Sequence, residues 1–396
     1  MNKPLKVLQI VPSISLVYGG PSQMVRGLSA ALASQGVKVT VLTTDSNGDA
    51  GQPPLDVPLD IPVQQDGYQV RYFRCSPLRR YKFSLNLLRW LRQHGKEFDL
   101  AHIHALFSPV STAAAIVARN QQLPYILRPL GTLDPADLRK KRWLKQIYGL
   151  LLEKPNLAGA AGIHFTSVQE AEISERFGTH TRDFVIPLGV SLAALPPKGE
   201  ARTQLKIPDD QPLVLFMSRI EPKKGLNLLI PALERLLVEG IKFHFVLAGT
   251  NPQDPDYEYQ IIQKIKASPL SACTKITGFV TGELKAALLQ DADLFVLPSY
   301  YENFGIAVAE AMVTGIPVVI SDQVYIWQDI RNAEAGWVCP CEVNALTQLL
   351  QEALQDISER QRRGKNAHDW ATTNYSWDAI ARQMIQAYEK NIHLPR

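Results

Sequence analysis

Two glutamates, an arginine and a lysine carry the strongest chemical signal in this 396-residue chain. Glu302 and Glu310 lie in the run Pro298-Ser299-Tyr300-Tyr301-Glu302-Asn303-Phe304-Gly305, which continues through Ile306, Ala307 and Val308 to Met312. Arg219 and Lys224 lie in Ser218-Arg219-Ile220-Glu221-Pro222-Lys223-Lys224-Gly225. Paired carboxylates can act as acid and nucleophile across one glycosidic bond, or can each hold ligand hydroxyls. At ~1.5 Å rise per residue, a loop Glu302 and a helical Glu310 stand roughly 8 Å or more apart along the axis. That spacing suits contacts with different parts of one long ligand. An arginine and a lysine ahead of a helix N-terminus suit a diphosphate.

The other candidates are weaker. His102 and His104 share a strand face and could bind a metal, but no third ligand is near in sequence. They read as one core-edge histidine and one cleft histidine, with His104 nearer the carboxyl end of its strand. Asp291-Ala292-Asp293 has the form of a metal motif but falls between a helix and a strand. Asp45, Asn47 and Asp49 echo a calcium loop, yet Ala50 stands where that loop needs glycine, so a polar surface loop is expected. Cys75, Cys273, Cys339 and Cys341 lack the spacing of a disulfide framework or a metal site and read as reduced thiols. Gly19-Gly20 before a helix would let a phosphate or sugar approach the backbone. No Gly-x-Gly-x-x-Gly is present, which argues against a dinucleotide-dependent oxidoreductase. The formal net charge of +4 does not suggest nucleic-acid binding.

The elements that must position these residues follow from pattern. Leu294 to Leu297 is a short apolar run, and Pro298, lacking a ladder donor, ends it. Ala307, Ala309 and Ala311 favour a helix, so Ser299 to Phe304 form a loop at the carboxyl end of a strand. Leu213 to Met217 similarly delivers Arg219. Strand and helix patterns alternate nearly throughout, which implies α/β architecture with parallel sheets. Leu5 to Val11 reads as the first strand, because Pro12 cuts the apolar run shorter than a signal peptide needs. The Pro- and Gln-rich stretch to about Gly67 reads as an irregular connection, and Leu195 to Gln211 as an interdomain linker. No stretch approaches the length of a membrane span. Arg139 to Lys145, with Trp143 and Leu144, reads equally as a helix lying on anionic lipid or as a solvated basic face.

The whole strand–loop–helix–turn–strand unit around Glu302 and Glu310, ending in Glu310-Ala311-Met312 and Gly315-Ile316-Pro317-Val318-Val319, resembles the signature of retaining glycosyltransferase family 4 of bacterial polysaccharide and glycolipid type. The resemblance implies a GT-B fold: two facing Rossmann-like domains, residues 1–194 on the acceptor side and 195–375 on the donor side. A C-terminal helix, 376–396, would cross back to the first domain. It implies a hexosyltransferase of the EC 2.4 class using a nucleoside diphosphate sugar, with UDP-glucose the best guess, and no cofactor or metal. The acceptor would be a saccharide or lipid-linked hydroxyl, and the location the cytoplasm or the inner membrane face. Arg219, Lys224 and Glu302 would be catalytic. Gly20, Gly249, Val280, Leu284, Asn303, Phe304, Gly305 and Glu310 would complete the donor site. The family's histidine before the Gly131 position is replaced by Leu130, which leaves Arg128, Thr132, Asp134 or His104 as substitutes, and His104 joins the catalytic set. Ser218 replaces a family glycine, and Pro187-Leu188-Gly189-Val190-Ser191 keeps the hinge without its polar residues. Two other readings stay open: a nucleotide-sugar-binding scaffold without catalysis, and a glycoside hydrolase using Glu302 and Glu310.

Overall fold

The computed structural model describes residues 4–48, 52–76, 81–139, 142–190 and 194–392. Asp49, Ala50, Lys140, Lys141 and Ser191, named above, lie outside them. The chain divides into two compact units, Met1–Gly189 with Trp377–Arg396, and Val190–Ser376.

In the first unit, the strands among the described residues are β1 (Lys6–Ile10), β2 (Lys38–Thr44), β3 (Pro62–Gln65), β4 (Tyr68–Phe73), β5 (Leu100–His104), β6 (Tyr125–Arg128), β7 (Gly162–Phe165) and β8 (Asp183–Val185). They form one sheet in the order β3-β4-β2-β1-β5-β6-β7-β8. All pairings are parallel except β3 with β4. That hairpin corrects the irregular connection expected up to Gly67. Asp66 and Gly67 both take positive φ, 43° and 85°, the geometry of the tight turn that Asp-Gly favours. Asp45 also departs from expectation. It is buried, and its carboxylate accepts the Cys75 N–H at 2.8 Å rather than facing water.

The sheet of this unit has two unlike faces. On one, Leu8, Ile10, Ile103, Leu127 and Ile163 join the apolar core. On the other, the alternate residues Gln9, His102, His104, Arg128 and His164 form a buried polar row. The terminal helix Trp377–Ile392 supplies Tyr388 to that row, its hydroxyl 2.9 Å from Gln9 Nε2 and 2.8 Å from His102 Nδ1. The same helix is fixed at its start by a slot. A Cβ on Gly27 would come within 2.2 Å of the Trp377 indole, and one on Gly189 within 2.3 Å. Gly27→Ala should therefore cost about 1–3 kcal/mol through overpacking, read as a lower urea midpoint. An unchanged midpoint would mean that the indole is not confined there.

In the second unit, the strands among the described residues are β9 (Leu213–Met217), β10 (His244–Ala248), β11 (Thr274–Gly278), β12 (Leu294–Leu297), β13 (Val318–Ser321) and β14 (Gly336–Cys339). Their order is β11-β10-β9-β12-β13-β14, all parallel. The expected linker contributes a short helix here, Glu200–Leu205. Asp291 holds it by accepting the Gly199 and Arg202 N–H groups, and Asp293 by pairing with the Arg202 guanidinium at 2.8 Å. The Asp-x-Asp pair is thus committed to structure.

Candidate active site

The strand order of the second unit reverses between β9 and β12. Loops leaving the carboxyl ends of two such strands diverge and leave a crevice, the usual ligand position in open α/β sheets. The loop after β9 carries Arg219 and Lys224, and the loop after β12 carries Glu302. Gly225 seats one loop on the other: its φ is 74°, and a Cβ there would lie 2.0 Å from the Pro298 carbonyl oxygen. The Tyr300 N–H donates to the Lys223 carbonyl at 2.8 Å. With the backbones so held, the Lys224 ammonium meets the Glu302 carboxylate in an ion pair. The lysine is buried and the glutamate largely so. Spacing in sequence did not foresee this pairing, which joins the expected diphosphate ligand to the expected sugar ligand.

Beside the pair begins the helix Ile306–Val313, with Gly305 as its N-cap at φ 80° and no side chain capping its first N–H groups. Phe304 is a correction in part. Its ring is buried and packs edge-on to Tyr375 at 5.3 Å between centroids, so only its backbone could face a ligand. Asn303 is half-buried in the same loop. Glu310 is buried inside the helix and accepts from Lys285 Nζ at 2.7 Å. Burial pushes its carboxyl above the usual range, and Lys285 opposes that rise. Each glutamate thus has its own lysine.

Arg219 is more exposed, and its guanidinium pairs with Glu221, which also takes Lys223 Nζ at 3.3 Å. Lys285 and Glu221 were missed in the sequence. Glu221 stands inside the Arg–Lys loop and could have been found there. Lys285 has no signal beyond its place one residue after Leu284. Gly249 follows β10 as expected, but its lack of a side chain serves a different neighbour. A Cβ there would meet the Ser218 carbonyl oxygen at 1.9 Å, so the chain itself makes the close approach. Val280 is buried and Leu284 half-buried where β11 passes into the helix Gly282–Asp291.

In the first unit, Gly20 opens the helix Gly20–Ser34 behind a left-handed Gly19. The loop after β6 is strained: Leu130 and Gly131 take φ 59° and 74° in succession, a conformation that disfavours a bulky side chain. Glu170 braces it, accepting the Gly131 N–H at 3.2 Å and the Thr166 N–H at 2.7 Å. His104 is a correction. It is fully buried in the polar row, with Nε2 2.7 Å from Gln9 Oε1, and it presents no surface to a substrate. Both histidines of the alternating pair are core residues. Arg128 is buried against Met24, and desolvation lowers its guanidinium to about 10. The Thr132 hydroxyl donates to the Pro129 carbonyl at 2.7 Å. Among the described residues, no group of three or more His, Cys, Asp or Glu side chains could hold a metal ion.

Two Rossmann-like units of this kind are those of the GT-B fold, and solved structures agree. One is the Anabaena protein Alr3699/HepE in complex with UDP and glucose, with a TM-score of 0.73 and 19% identity over 97% of this chain and 99% of that one. Residues 197–370 match the family model of glycosyl transferases group 1, and residues 19–189 match the glycosyl transferase 4-like domain. The chain belongs to glycosyltransferase family 4. Among relatives, an uncharacterized glycosyltransferase, MJ1607 of Methanocaldococcus jannaschii, is 30% identical over 48% of this chain and 47% of its own length. The match therefore spans about half of that relative. A glycogen synthase of Mycobacterium tuberculosis is 27% identical over 94% of this chain and 91% of its own.

Proposed function

We propose that the protein transfers a hexose, glucose from UDP-glucose as the first choice, to a hydroxyl of a saccharide or lipid-linked acceptor, with retention of anomeric configuration. The observation that carries this reading is the Lys224–Glu302 pair beside the uncapped helix N-terminus at Gly305. A diphosphate at that terminus would meet free N–H groups and a positive dipole. It would draw Lys224 from Glu302 and free the carboxylate to accept hydrogen bonds from the sugar. Arg219 would add a second cation from Glu221, and Glu310 with Lys285 would face the nucleoside. UDP and glucose in the Anabaena neighbour, and the name of the mycobacterial relative, favour this donor.

In the step itself, the bond from the anomeric carbon to the β-phosphate oxygen breaks. The acceptor oxygen bonds to that carbon on the same face, and its proton passes to the departing phosphate oxygen. Lys224, Arg219 and the helix terminus stabilise the charge that develops there, and the proposal includes no metal. The loops of the first unit would select the acceptor, in the setting of polysaccharide or glycolipid synthesis. Among the described residues no helix is long and apolar enough to cross a membrane. We place the enzyme in the cytoplasm, touching the inner membrane face through the basic stretch Arg139 to Lys145.

A thermal-shift screen against UDP-, GDP- and ADP-linked sugars tests the donor, followed by product analysis with the labelled sugar. UDP-glucose at about a hundred times its Kd should stabilise the protein by roughly 2.7 kcal/mol. Stabilisation without product for any acceptor hydroxyl would favour a binding scaffold, and no response to any sugar nucleotide would end the proposal.

A further inference from the structure

The helical stretch from Arg142 to Gly159 in the first unit presents the wrong face to solvent. It runs as an α-helix, Arg142–Tyr148, a π-helical segment, Gly149–Glu153, and a final α-helical turn. Its polar side points inward: the Tyr148 hydroxyl donates to Thr112, and Glu153 accepts from the Phe107 N–H at 2.8 Å and the Thr112 hydroxyl at 2.7 Å. Its apolar side points out. Trp143 is 66% exposed, Leu144 49%, Ile147 50%, Leu150 48% and Leu151 69%. Trp143, Ile147, Leu150 and Leu151 fall at i, i+4, i+7 and i+8, a single helical stripe. On an ordinary surface helix such a stripe faces the core. The wider π segment carries it onward rather than letting it rotate away.

We propose that this stripe is buried in a lipid surface, lying in the plane of the interface at the boundary of headgroups and acyl chains. Charge selects the occupant. Residues 139–154 contain six lysines or arginines against one acid, Glu153; that acid is buried in the hydrogen bonds just described, and of the six Lys145 is paired, with Asp137. Arg139 and Arg142 flank one end of the stripe and Lys154 the other. A second copy of this chain packed on the stripe, in either direction, would bring like charges together. An anionic membrane would complement them. The inference extends the membrane contact and lipid-linked acceptor proposed above, and it adds a hydrophobic component that salt cannot screen.

Flotation of the full chain with phosphatidylcholine vesicles containing phosphatidylglycerol tests this without donor or acceptor. The wild type should bind at low salt and remain partly bound at high salt. The variant Trp143→Ser/Ile147→Ser/Leu151→Ser changes only exposed side chains. It should bind at low salt but lose about a hundredfold in partitioning at high salt. Flotation of that variant equal to wild type at high salt would overturn the proposal. So would a wild-type dimer in sedimentation that the same substitutions dissociate, because a second copy would then be the occupant. Transfer to a soluble acceptor surviving loss of flotation would leave the glycosyltransfer reading standing alone.

Discussion

Glu302→Ala is expected to lower the transfer rate about 100- to 1,000-fold while leaving UDP affinity unchanged or slightly tighter. The ion pair explains both halves of this result. With Glu302 present, Lys224 is held by a carboxylate that a diphosphate must displace. Without it the lysine is free to meet the phosphates, so nucleotide binding has no reason to weaken. The sugar loses the group that would orient its anomeric carbon. Lys224→Ala should do the reverse, weakening UDP and slowing transfer together, since it leaves Glu302 as uncompensated negative charge beside the phosphates. Glu310→Ala should weaken UDP and UDP-glucose alike, by roughly 1.5–3 kcal/mol, because the nucleoside would lose a buried carboxylate acceptor and the half-buried Lys285 would lose its partner. Calorimetric titration with UDP, alongside initial rates with the donor, separates the three. Equal loss of UDP affinity in Glu302→Ala and Glu310→Ala, or full activity in Glu302→Ala, would sink this division of roles.

Stability should fall as pH drops below about 6.5, the ordinary value of an unfolded histidine. The polar row of the first unit fits only neutral imidazoles. His104 Nε2 donates to Gln9 Oε1, Gln9 Nε2 donates to Tyr388, and the tyrosine hydroxyl donates to His102 Nδ1. His102 Nε2 then donates to His164 Nδ1 at 3.4 Å, and His164 Nε2 to the Ile186 carbonyl at 2.8 Å. A proton added to His102 or His164 would break this sequence. Burial first, and then the neighbouring Arg128, hold His164 down to about 3 and push His104 well below the usual value, while burial and then His104 do the same to His102.

The sign follows directly. The unfolded chain takes up protons below about 6.5 while the folded chain refuses them, so protonation favours unfolding as pH falls. Three sites give a slope of up to about 4 kcal/mol per pH unit. Most carboxylates titrate lower, so the histidines dominate the window from about pH 7 to about pH 5.5, opposed there only by carboxyls that burial raises, Glu153, Glu310 and Asp329 among the described residues. Urea midpoints across that window measure the slope, and His164→Gln should remove about one third of it. A flat profile in the wild type would show that the row is protonated or open in the folded state.

The loops of the second unit were legible because each follows a short apolar run ended by a clear signal. Pro298 closes β12, and Gly225 precedes the helix after β9. The ion pair was not legible, since Lys224 and Glu302 are 78 residues apart and meet only because β9 and β12 are neighbours in the sheet. His102 and His104 showed their alternation, but alternation alone could not tell a cleft from a core. Their burial depends on Tyr388, which is 286 residues away from His102. The β3–β4 hairpin carried its Asp66-Gly67 signal in plain view, obscured by the prolines and glutamines before it. The helix Glu200–Leu205 looked like linker because its anchors, Asp291 and Asp293, lie on a distant segment that itself resembled a metal motif.

The slot that Gly27 and Gly189 form for Trp377 also has a meaning during synthesis. A ribosome delivers the chain from its amino end, yet the first unit lacks the helix Trp377–Ile392 until the whole second unit has been made. The second unit, held between Val190 and Ser376, is complete before that. The nascent protein must therefore carry an unfinished first unit, its polar row still missing Tyr388, past a neighbour that has already had the means to fold. The helix that leaves the exit tunnel after the second unit closes the part of the molecule that was begun before it.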